Sequence, residues 1–387
     1  MNLKAHTPAD VRRSVRTARA LGARVAVRAT GHGTPAELPS GTLVIDTSAM
    51  RSVLVDPDRR TARVGPGATW AEVIAAAAPF GLAPVSGTDL SVGVTGFTFG
   101  GGHGFLARKY GLGADNLLRA DLVTADGELI TATPGRRSEL FWALGGAGGN
   151  FGVATSVEVR LHPVRNVFGG SATFHRGLAP HLLQRFAEYT QPDELNVSIV
   201  LTDDAVAIRG AYAGGADRAW AALAPLFLDE PLSDTFRTMP VAETETIGGT
   251  RPLHFELLRD VPVDAILQTA AVATEVEVKR WGGAIARGTT PAGHRHIPFS
   301  VTVNGPGIAS LKGHVTGGSF PNWLHDDRHA AYTSADLGRL QELKAAYDPD
   351  TVFGVGRALA PAALTGLEIT HEPRPLRHFT AAFSAIR

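Results

Sequence analysis

The stretch Ser86–Asn116, SGTDLSVGVTGFTFGGGHGFLARKYGLGADN, is the most informative part of this chain. Six of the twelve residues from 93 to 104 are glycine, in a region that is otherwise apolar. Glycine lacks a Cβ and adopts positive φ freely, so a glycine-rich backbone can press against a ligand and turn its N–H groups toward an anion. Ordering so many glycines costs backbone entropy. We therefore expect a bound ligand to offset that cost.

Two further glycine clusters lie in the same half of the chain. One is the turn Gly31-His32-Gly33, which directly follows an alternating, strand-like segment, and the other is GGAGGNFG at 145–152. Glycine-rich turns that merely pack tightly are the simpler interpretation of any one cluster. Three clusters in one half of the chain favour a shared ligand.

The common nucleotide-binding loops do not explain the central stretch. Residues 102–107 fit the G-x-G-x-x-A pattern of a Rossmann fold, which should follow an apolar strand and open a long helix. Here glycines break the preceding segment, and the following helix would meet Gly111 and Gly113. No Gly-Lys-Ser/Thr follows, which excludes a Walker A loop.

Composition limits the class of protein. The chain has 387 residues, with Lys+Arg and Asp+Glu equal at 37 each, so we expect two domains and neither nucleic acid nor an anionic membrane as partner. No apolar run approaches the ~20 residues that span a bilayer. Because there is no cysteine, disulfides, thiolate nucleophiles and zinc–thiolate sites are excluded. The first residues lack the apolar core of a signal peptide, and we expect a cytoplasmic protein.

Local signals predict the secondary structure. Thr7-Pro8 marks a helix start, Thr69 and Glu72 form a capping box, and Asp126-Gly127 predicts a hairpin turn. From about His162 the pattern changes to longer strands alternating with helices, which indicates a second α+β domain on an antiparallel sheet. The helices predicted there cover residues 178–189, 216–227 and 252–268.

Four segments, in order, resemble the berberine-bridge-enzyme-like FAD-linked oxidases of the vanillyl-alcohol-oxidase or PCMH-type FAD-binding superfamily. They are RATGHG, GVTGFTFGGGHGFLARKYGLGADN, GGAGGNFGVATSVEVRLHPV and RLQELKAAYDPDTVF. The resemblance implies an α+β fold: a PCMH-type FAD-binding domain of two α/β subdomains, and an α+β substrate domain with an antiparallel sheet flanked by helices. It places the FAD-binding domain at residues 1–163 and 333–387, and the substrate-binding domain at 164–332.

The resemblance also implies the cofactor and its contacts. His32 matches the histidine bonded to the flavin 8α-methyl group, and a rigid glycine-flanked turn could hold a neutral imidazole beside that methyl. We expect FAD linked through His32 alone, because no cysteine is present for a second link. The other residues expected to contact FAD are Arg28, Thr30, Gly31, Gly33, Thr34, Thr88, Asp89, Val92, Gly93, Gly96, Phe97, Gly100, Gly101, Gly102, His103, Gly104, Gly111, Asn116, Gly148, Gly149, Asn150, Gly152 and Val153.

Departures from the family pattern concern proton transfer. Asp89 stands where many relatives carry the second, cysteinyl link, and the usual Tyr-x-Asn reads Phe320-Pro321-Asn322. The phenol often placed as catalytic base is therefore missing. As catalytic candidates we name Asp89, whose pKa burial would raise, together with Tyr332, His296 and Glu256.

No metal site is expected. The segment His325–His329 (HDDRH) superficially resembles the zinc motif HExxH, but its acid is aspartate and it follows a Pro-Asn loop. A solvated charged turn is the better interpretation.

The implied function is oxidation of a secondary alcohol of a natural product or sugar. A hydride passes to flavin N5, a base takes the hydroxyl proton, and dioxygen is the electron acceptor. Three alternatives stay open: a flavin-dependent cyclase or dehydrogenase, a non-redox enzyme that uses FAD as a scaffold, and a binding protein without catalysis. The expected partner is a small-molecule substrate, and the chain is expected to be a monomer or a homodimer.

Overall fold

The computed structural model describes residues 1–34, 37–249, 252–323, 329–356 and 358–362. Within these ranges, strands form three sheets. The first contains β1 (Asn2–Lys4), β2 (Val25–Arg28) and β3 (Leu43–Asp46), and the second contains β4 (Val53–Asp56), β5 (Thr61–Val64), β6 (Leu117–Val123), β7 (Leu129–Ala132) and β8 (Val153–Arg160). The third contains β9 (Asn166–His175), β10 (Leu195–Leu201), β11 (Ala205–Tyr212), β12 (Ser233–Asp234), β13 (Arg237–Pro240), β14 (His254–Leu258), β15 (Glu275–Arg280) and β16 (Phe299–Asn304).

Helices connect and cover these sheets. In the described ranges the α-helices are α1 (Pro8–Ala20), α2 (Trp70–Ala77), α3 (Val94–Phe99), α4 (Ala107–Tyr110), α5 (Ser138–Ala147), α6 (Ala179–Glu188), α7 (Ala216–Leu223), α8 (Val263–Ala270), α9 (Ala284–Arg287) and α10 (Ser334–Tyr347). No helix of the described ranges is both long enough and apolar enough to cross a bilayer.

Local sequence signals account for many element boundaries. The α1 helix begins where Thr7 and Asp10 form a capping box, each side chain accepting a backbone N–H of the other residue. The turn at Asp126-Gly127 joins β6 to β7, as predicted. These features depend only on neighbouring residues, and they are confirmed.

The helix predicted over residues 252–268 is wrong. His254–Leu258 is the strand β14, paired antiparallel with β16, and the helix α8 begins only at Val263. Pro262 disfavours a helical conformation for the residue before it and suits a helix start. Phe255 and Leu257 share one face of the strand, a period-2 pattern that the sequence interpretation overlooked.

The third sheet is antiparallel in every pairing and has two different faces. One face is apolar and packs beneath α6, α7 and α8, through residues such as Ile199, Ile208 and Val278. The opposite face is turned toward the first half of the chain: Phe255 and Leu257 belong to the same core cluster as the residues around the glycine stretch. The expected α+β fold, with an antiparallel sheet flanked by helices, is confirmed.

The end of the described chain packs on its beginning. The amide of Val25 in β2 donates to the carbonyl of Val352 at 2.7 Å. Lys344 in α10 is fully buried and donates to the carbonyls of Asn150 (2.9 Å) and Phe353 (3.2 Å) and to the carboxylate of Asp348 (2.5 Å). The domain boundaries remain a prediction, and residues 363–387 lie outside the described ranges.

Candidate functional site

The first glycine turn and the central glycine stretch are bonded to each other. The amide of Gly93 donates to Thr30 Oγ1 at 3.1 Å. Thr30 lies two residues after the end of β2. His32 is exposed, and its Nε2 lies 2.9 Å from Ser91 Oγ. Ser91 Oγ in turn lies 2.6 Å from Asp89 Oδ1. The structure thus brings together His32 and Asp89, as expected, through a serine that the sequence analysis did not name.

Asp89 does not have the raised pKa expected of a buried base. It is exposed, and the hydrogen bond from the Ser91 hydroxyl holds the pKa of its carboxyl below the usual range, against a smaller effect of burial. The Ser91 amide also donates to the same carboxylate oxygen, at 2.9 Å. At neutral pH, Asp89 is therefore an ionised hydrogen-bond acceptor and a poor proton acceptor.

Most glycines of the central stretch are required by the protein itself. A Cβ on Gly104 would lie 1.7 Å from the carbonyl oxygen of Ser86, and one on Gly100 would lie 2.3 Å from Asn322 Nδ2. Gly101 and Gly102 have φ values of +105° and +76°, which L side chains rarely adopt. Gly96 differs, because a Cβ there has no described heavy atom within 4 Å outside its own helix. The expectation that a ligand explains all these glycines is therefore corrected: most of them are needed for packing within the protein, and Gly96 is the exception.

Other residues expected to contact FAD are engaged within the protein. The Phe97 ring is buried, packs edge-on against Trp70 and fills the space beside Gly102. In the second glycine cluster, residues 145–152, Asn150 donates to the carbonyl of Ala147, and Gly148 packs against Phe99. Gly152 packs on the carbonyl of Val123, and Val153 pairs with Val123 between β8 and β6. These residues therefore support the glycine clusters through contacts within the protein. By contrast, a Cβ on Gly31, Gly33 or Gly149 would meet no described heavy atom within 4 Å.

Asn116 is likewise fully hydrogen-bonded inside the core. Its Nδ2 donates to the carbonyls of Tyr110 (3.0 Å) and Leu112 (2.8 Å), and its Oδ1 lies 2.7 Å from His162 Nε2. The imidazole of His162 stacks on the Tyr110 ring, with centroids 3.8 Å apart. Burial lowers the pKa of His162 from 6.5 to about 4. His162 is therefore neutral in the folded protein and donates its Nε2 proton to Asn116.

This neutral histidine predicts loss of stability in acid. Between about pH 6.5 and 4 the unfolded chain binds a proton that the folded chain excludes, so stability falls as the pH falls, by about 1.4 kcal/mol per pH unit. In urea unfolding, the drop from pH 7 to pH 5 should be about 2 kcal/mol smaller in His162→Gln than in the unaltered protein. An equal drop in both would contradict this assignment.

The remaining catalytic candidates lie in three different surroundings. Tyr332 is buried, and its hydroxyl donates to the carbonyl of Gly146 at 2.9 Å. His296 is exposed. Burial raises the pKa of Glu256, but this residue pairs with Val301, so it points to the face of the third sheet that packs under the helices. Segment 324–328, with most of the HDDRH motif, lies outside the described residues.

A buried charged cluster on the opposite face of the third sheet was not predicted. Glu277 on β15 accepts from Ser198 Oγ (2.6 Å) and Lys279 Nζ (2.7 Å), and Arg209 NH2 lies 3.1 Å from its carboxylate. Burial would raise the pKa of Glu277, but the two cations and the hydrogen bonds lower it to about 2. The alternation of charges in VEVKR pointed to one polar face, although charged residues on a strand usually face solvent.

His103 connects the glycine stretch to this polar face. Its ring centroid lies 5.2 Å from that of Trp281, and neighbouring Asn196 donates to the carbonyl of Gly104 at 2.9 Å. Burial lowers the pKa of His103 to about 3, so its imidazole is neutral. His103 Nε2 is buried and finds no hydrogen-bond partner among the described residues. Phe320, at the usual tyrosine position, is fully buried against Trp281 and Gly101.

Comparison with known proteins defines the class. Residues 2–133 match the family model described as FAD binding domain, and residues 310–358 match the one described as berberine and berberine like. The (R)-6-hydroxynicotine oxidase of Paenarthrobacter nicotinovorans is 43% identical over 167 residues, which cover 43% of this chain and 36% of that protein. An FAD-linked oxidoreductase of Dictyostelium discoideum is 34% identical over 209 residues, 53% of this chain and 46% of that protein. These matches thus span less than half the length of either relative.

Solved structures share the fold over nearly the whole chain. The 6-hydroxy-D-nicotine oxidase of Arthrobacter nicotinovorans superposes with a TM-score of 0.79 at 27% identity, covering 91% of this chain and 90% of that one. A chitooligosaccharide oxidase gives 0.80 at 21% identity (94% and 92% covered), and BBE-like 1 of Physcomitrella patens gives 0.82 at 21% (93% and 91% covered). The resemblance to berberine-bridge-enzyme-like FAD-linked oxidases, and with it the PCMH-type fold, is confirmed.

The described residues fit FAD as the ligand. Thr95 Oγ1 and Thr98 Oγ1, within the matched FAD-binding region, are buried without a hydrogen-bond partner in the described part of the chain, as is His103 Nε2. Buried polar atoms are normally satisfied, so such a group of orphans indicates a polar ligand. The open space beside Gly31, Gly33 and Gly96 leaves room for one.

Proposed function

We propose that the protein is an FAD-dependent oxidoreductase that oxidises an alcohol carbon of a small hydroxylated molecule, with dioxygen as electron acceptor. The observation that carries the proposal is the position of the glycine stretch. It lies in the region matched by the FAD-binding model, contains buried unsatisfied polar atoms, and packs against the polar face of the third sheet. When bound, the isoalloxazine supplies hydride acceptance at N5.

The polar face of the third sheet supports a hydroxylated substrate. Ser198, Ser300 and Thr302 lie on it beside the charged cluster of Arg209, Glu277 and Lys279. Hydroxyl and charged side chains have several donor and acceptor positions each, so they can bind sugar-like hydroxyl groups in addition to the partners that they have within the protein. The name of the structurally similar chitooligosaccharide oxidase is consistent with this class. His103 adds a neutral imidazole at the junction between the glycine stretch and this face, where its ring packs against Trp281.

Reduction of the flavin by substrate tests the proposed reaction. Without oxygen, a substrate should bleach the yellow protein, and admitting air should restore the colour with release of hydrogen peroxide. A panel of oligosaccharides, simple secondary alcohols and hydroxylated aromatic compounds would define the substrate class. Conversion of a compound with no bleaching at any stage would contradict a redox role and favour the scaffold alternative.

We further propose that FAD is attached through His32 alone. Acid precipitation of the purified protein should give a yellow, fluorescent pellet, whereas His32→Ala should give a colourless pellet and release its flavin into the supernatant. His6→Ala, which alters another exposed histidine of the same half of the chain, is the control and should keep a yellow pellet. Complete release of flavin from the unaltered protein would overturn the covalent link without excluding FAD binding.

A further inference from the structure

The contacts of His32 determine which of its nitrogens carries the proton. Asp89 Oδ1, 2.6 Å from Ser91 Oγ, belongs to an ionised carboxylate that can only accept hydrogen bonds. The single hydrogen of the Ser91 hydroxyl therefore points to Asp89. Ser91 Oγ, 2.9 Å from His32 Nε2, is left as an acceptor. Nε2 is then the nitrogen that carries a hydrogen toward Ser91, and in the tautomer with this single hydrogen the lone pair of Nδ1 is free.

We propose that Asp89 and Ser91 are positioning residues for flavin attachment, which hold His32 in the Nε2–H tautomer so that Nδ1 is the nucleophile. This inference rests on the proposed covalent link through His32. In many relatives the position of Asp89 supplies a second bond to the flavin, by the resemblance described above. In this protein Asp89 instead assists the bond between His32 and the flavin, because it orients the Ser91 hydroxyl that contacts His32.

The backbone holds this chain of hydrogen bonds in place. The Ser91 amide donates to Asp89 Oδ1 at 2.9 Å, so carboxylate and hydroxyl belong to one tight turn. Two residues further on, Gly93 is bonded to Thr30, which lies two residues before His32. Both ends of the His32–Ser91 contact are thus anchored, although the two residues lie 59 positions apart in sequence. Such anchoring reduces the orientational freedom that the imidazole loses before it reacts.

The hydrogen bonds from His32 through Ser91 to Asp89 also provide a route for a proton. In the attachment, His32 Nδ1 forms a bond to the methyl carbon of the flavin, and one C–H bond of that methyl group breaks and loses its proton. The alkylated imidazole becomes neutral again by releasing its Nε2 proton through the Ser91 hydroxyl and the exposed Asp89 carboxylate to solvent, which is the final acceptor because Asp89 itself stays ionised. The two electrons left over, with the two protons released, reduce dioxygen to hydrogen peroxide.

The tautomer can be measured without flavin. We expect the ¹⁵N spectrum of apoprotein from a riboflavin-starved host to show a protonated Nε2 and an unprotonated Nδ1 for His32, with the signals assigned by comparison with His32→Ala. In Ser91→Ala the ring should move toward a mixture of tautomers. A predominant Nδ1–H tautomer in the unaltered apoprotein would overturn the inference, even if flavin is attached normally.

The rate of attachment supplies the second test. Apoprotein is mixed with FAD, and the flavin that stays with the acid-denatured polypeptide is followed over time. Ser91→Ala should attach flavin at least tenfold more slowly than the unaltered protein, and Ser91→Thr, which keeps the hydroxyl, should restore most of the rate. Binding of FAD before attachment, measured by quenching of tryptophan fluorescence, should change less than threefold.

The outcomes separate this inference from the proposed function. Attachment by Ser91→Ala at the unaltered rate would overturn the inference and leave the covalent link intact. If the unaltered protein binds FAD but never attaches it, both the link and the inference fail. If Ser91→Ala and Ser91→Thr are equally slow, the hydroxyl is not the active feature, and the inference fails as well.

Discussion

Replacing Gly104 by alanine is expected to destabilise the folded protein by more than about 3 kcal/mol, at the upper end of the cost of overpacking a core. The new Cβ would lie 1.7 Å from the carbonyl oxygen of Ser86, a backbone atom that cannot rotate away. The Gly104 carbonyl also accepts the side-chain amide of Asn196 in β10. A shift of this residue would therefore disturb the contact between the glycine stretch and the third sheet. Urea unfolding of the apoprotein measures the effect.

Gly96→Ala is the matched control in the same stretch. A Cβ there meets no described heavy atom outside its helix, and alanine is favoured over glycine in a helix by about 1 kcal/mol. We expect the apoprotein to be at least as stable as the unaltered one, and its affinity for FAD to fall at least tenfold because the methyl group enters the ligand's space. Unchanged FAD affinity in Gly96→Ala, or unchanged stability in Gly104→Ala, would contradict this division of the glycines.

Arg108→Ala should destabilise the protein by about 3–5 kcal/mol, as expected when several buried partners lose a charged donor. Arg108 is buried, and its guanidinium donates to the carbonyls of Leu195 (2.7 Å), Gln191 (3.1 Å), Pro192 (3.4 Å) and Trp281. These acceptors lie in or beside the third sheet, whereas Arg108 lies in α4, which follows the glycine stretch. The Arg108 side chain thus joins the helix α4 to the third sheet.

Arg108→Lys is the control for charge. An ammonium keeps the positive charge but cannot reproduce the planar fork of five N–H donors, so we expect it to recover less than half of the lost stability. Thermal unfolding followed by tryptophan fluorescence would report the docking of the third sheet, because Trp281 lies at this contact. Full stability in the lysine variant would show that charge, rather than the fork, is what the carbonyls need.

Local signals in the sequence predicted the elements that neighbouring residues determine. The capping box at Thr7 and the turn at Asp126-Gly127 are of this kind, and both are present in the structure. The segment 252–268 was misassigned because its apolar residues fit either a helix or a strand, and its partner β16 lies about 40 residues further along the chain. The alternation of Phe255 and Leu257 was compatible with a strand, but the local pattern could not identify a partner at such a distance.

The glycine stretch shows the same limit at the site. Its glycines correctly indicated close approach of the backbone, but they could not show what approaches. At Gly104 it is the carbonyl of Ser86, and at Gly100 it is the side chain of Asn322, more than 200 residues away in sequence. Ser91 was missed for a related reason: a serine two residues after an aspartate is common in turns, and only the fold brings His32 to its hydroxyl.

The contacts of Val352 and Lys344 have a consequence for the synthesis of the chain. The first sheet is joined to Val352 by the amide of Val25, and the second glycine cluster is joined to Lys344 through the carbonyl of Asn150. On the ribosome, the amino-terminal half therefore emerges long before the residues that complete it. Until α10 and the residues after it are made, Val25 and Asn150 lack their partners Val352 and Lys344. Chaperones can bind the incomplete half during this interval. Stable capture of the cofactor then becomes a late, post-translational event, and a chain truncated before residue 334 should not achieve it.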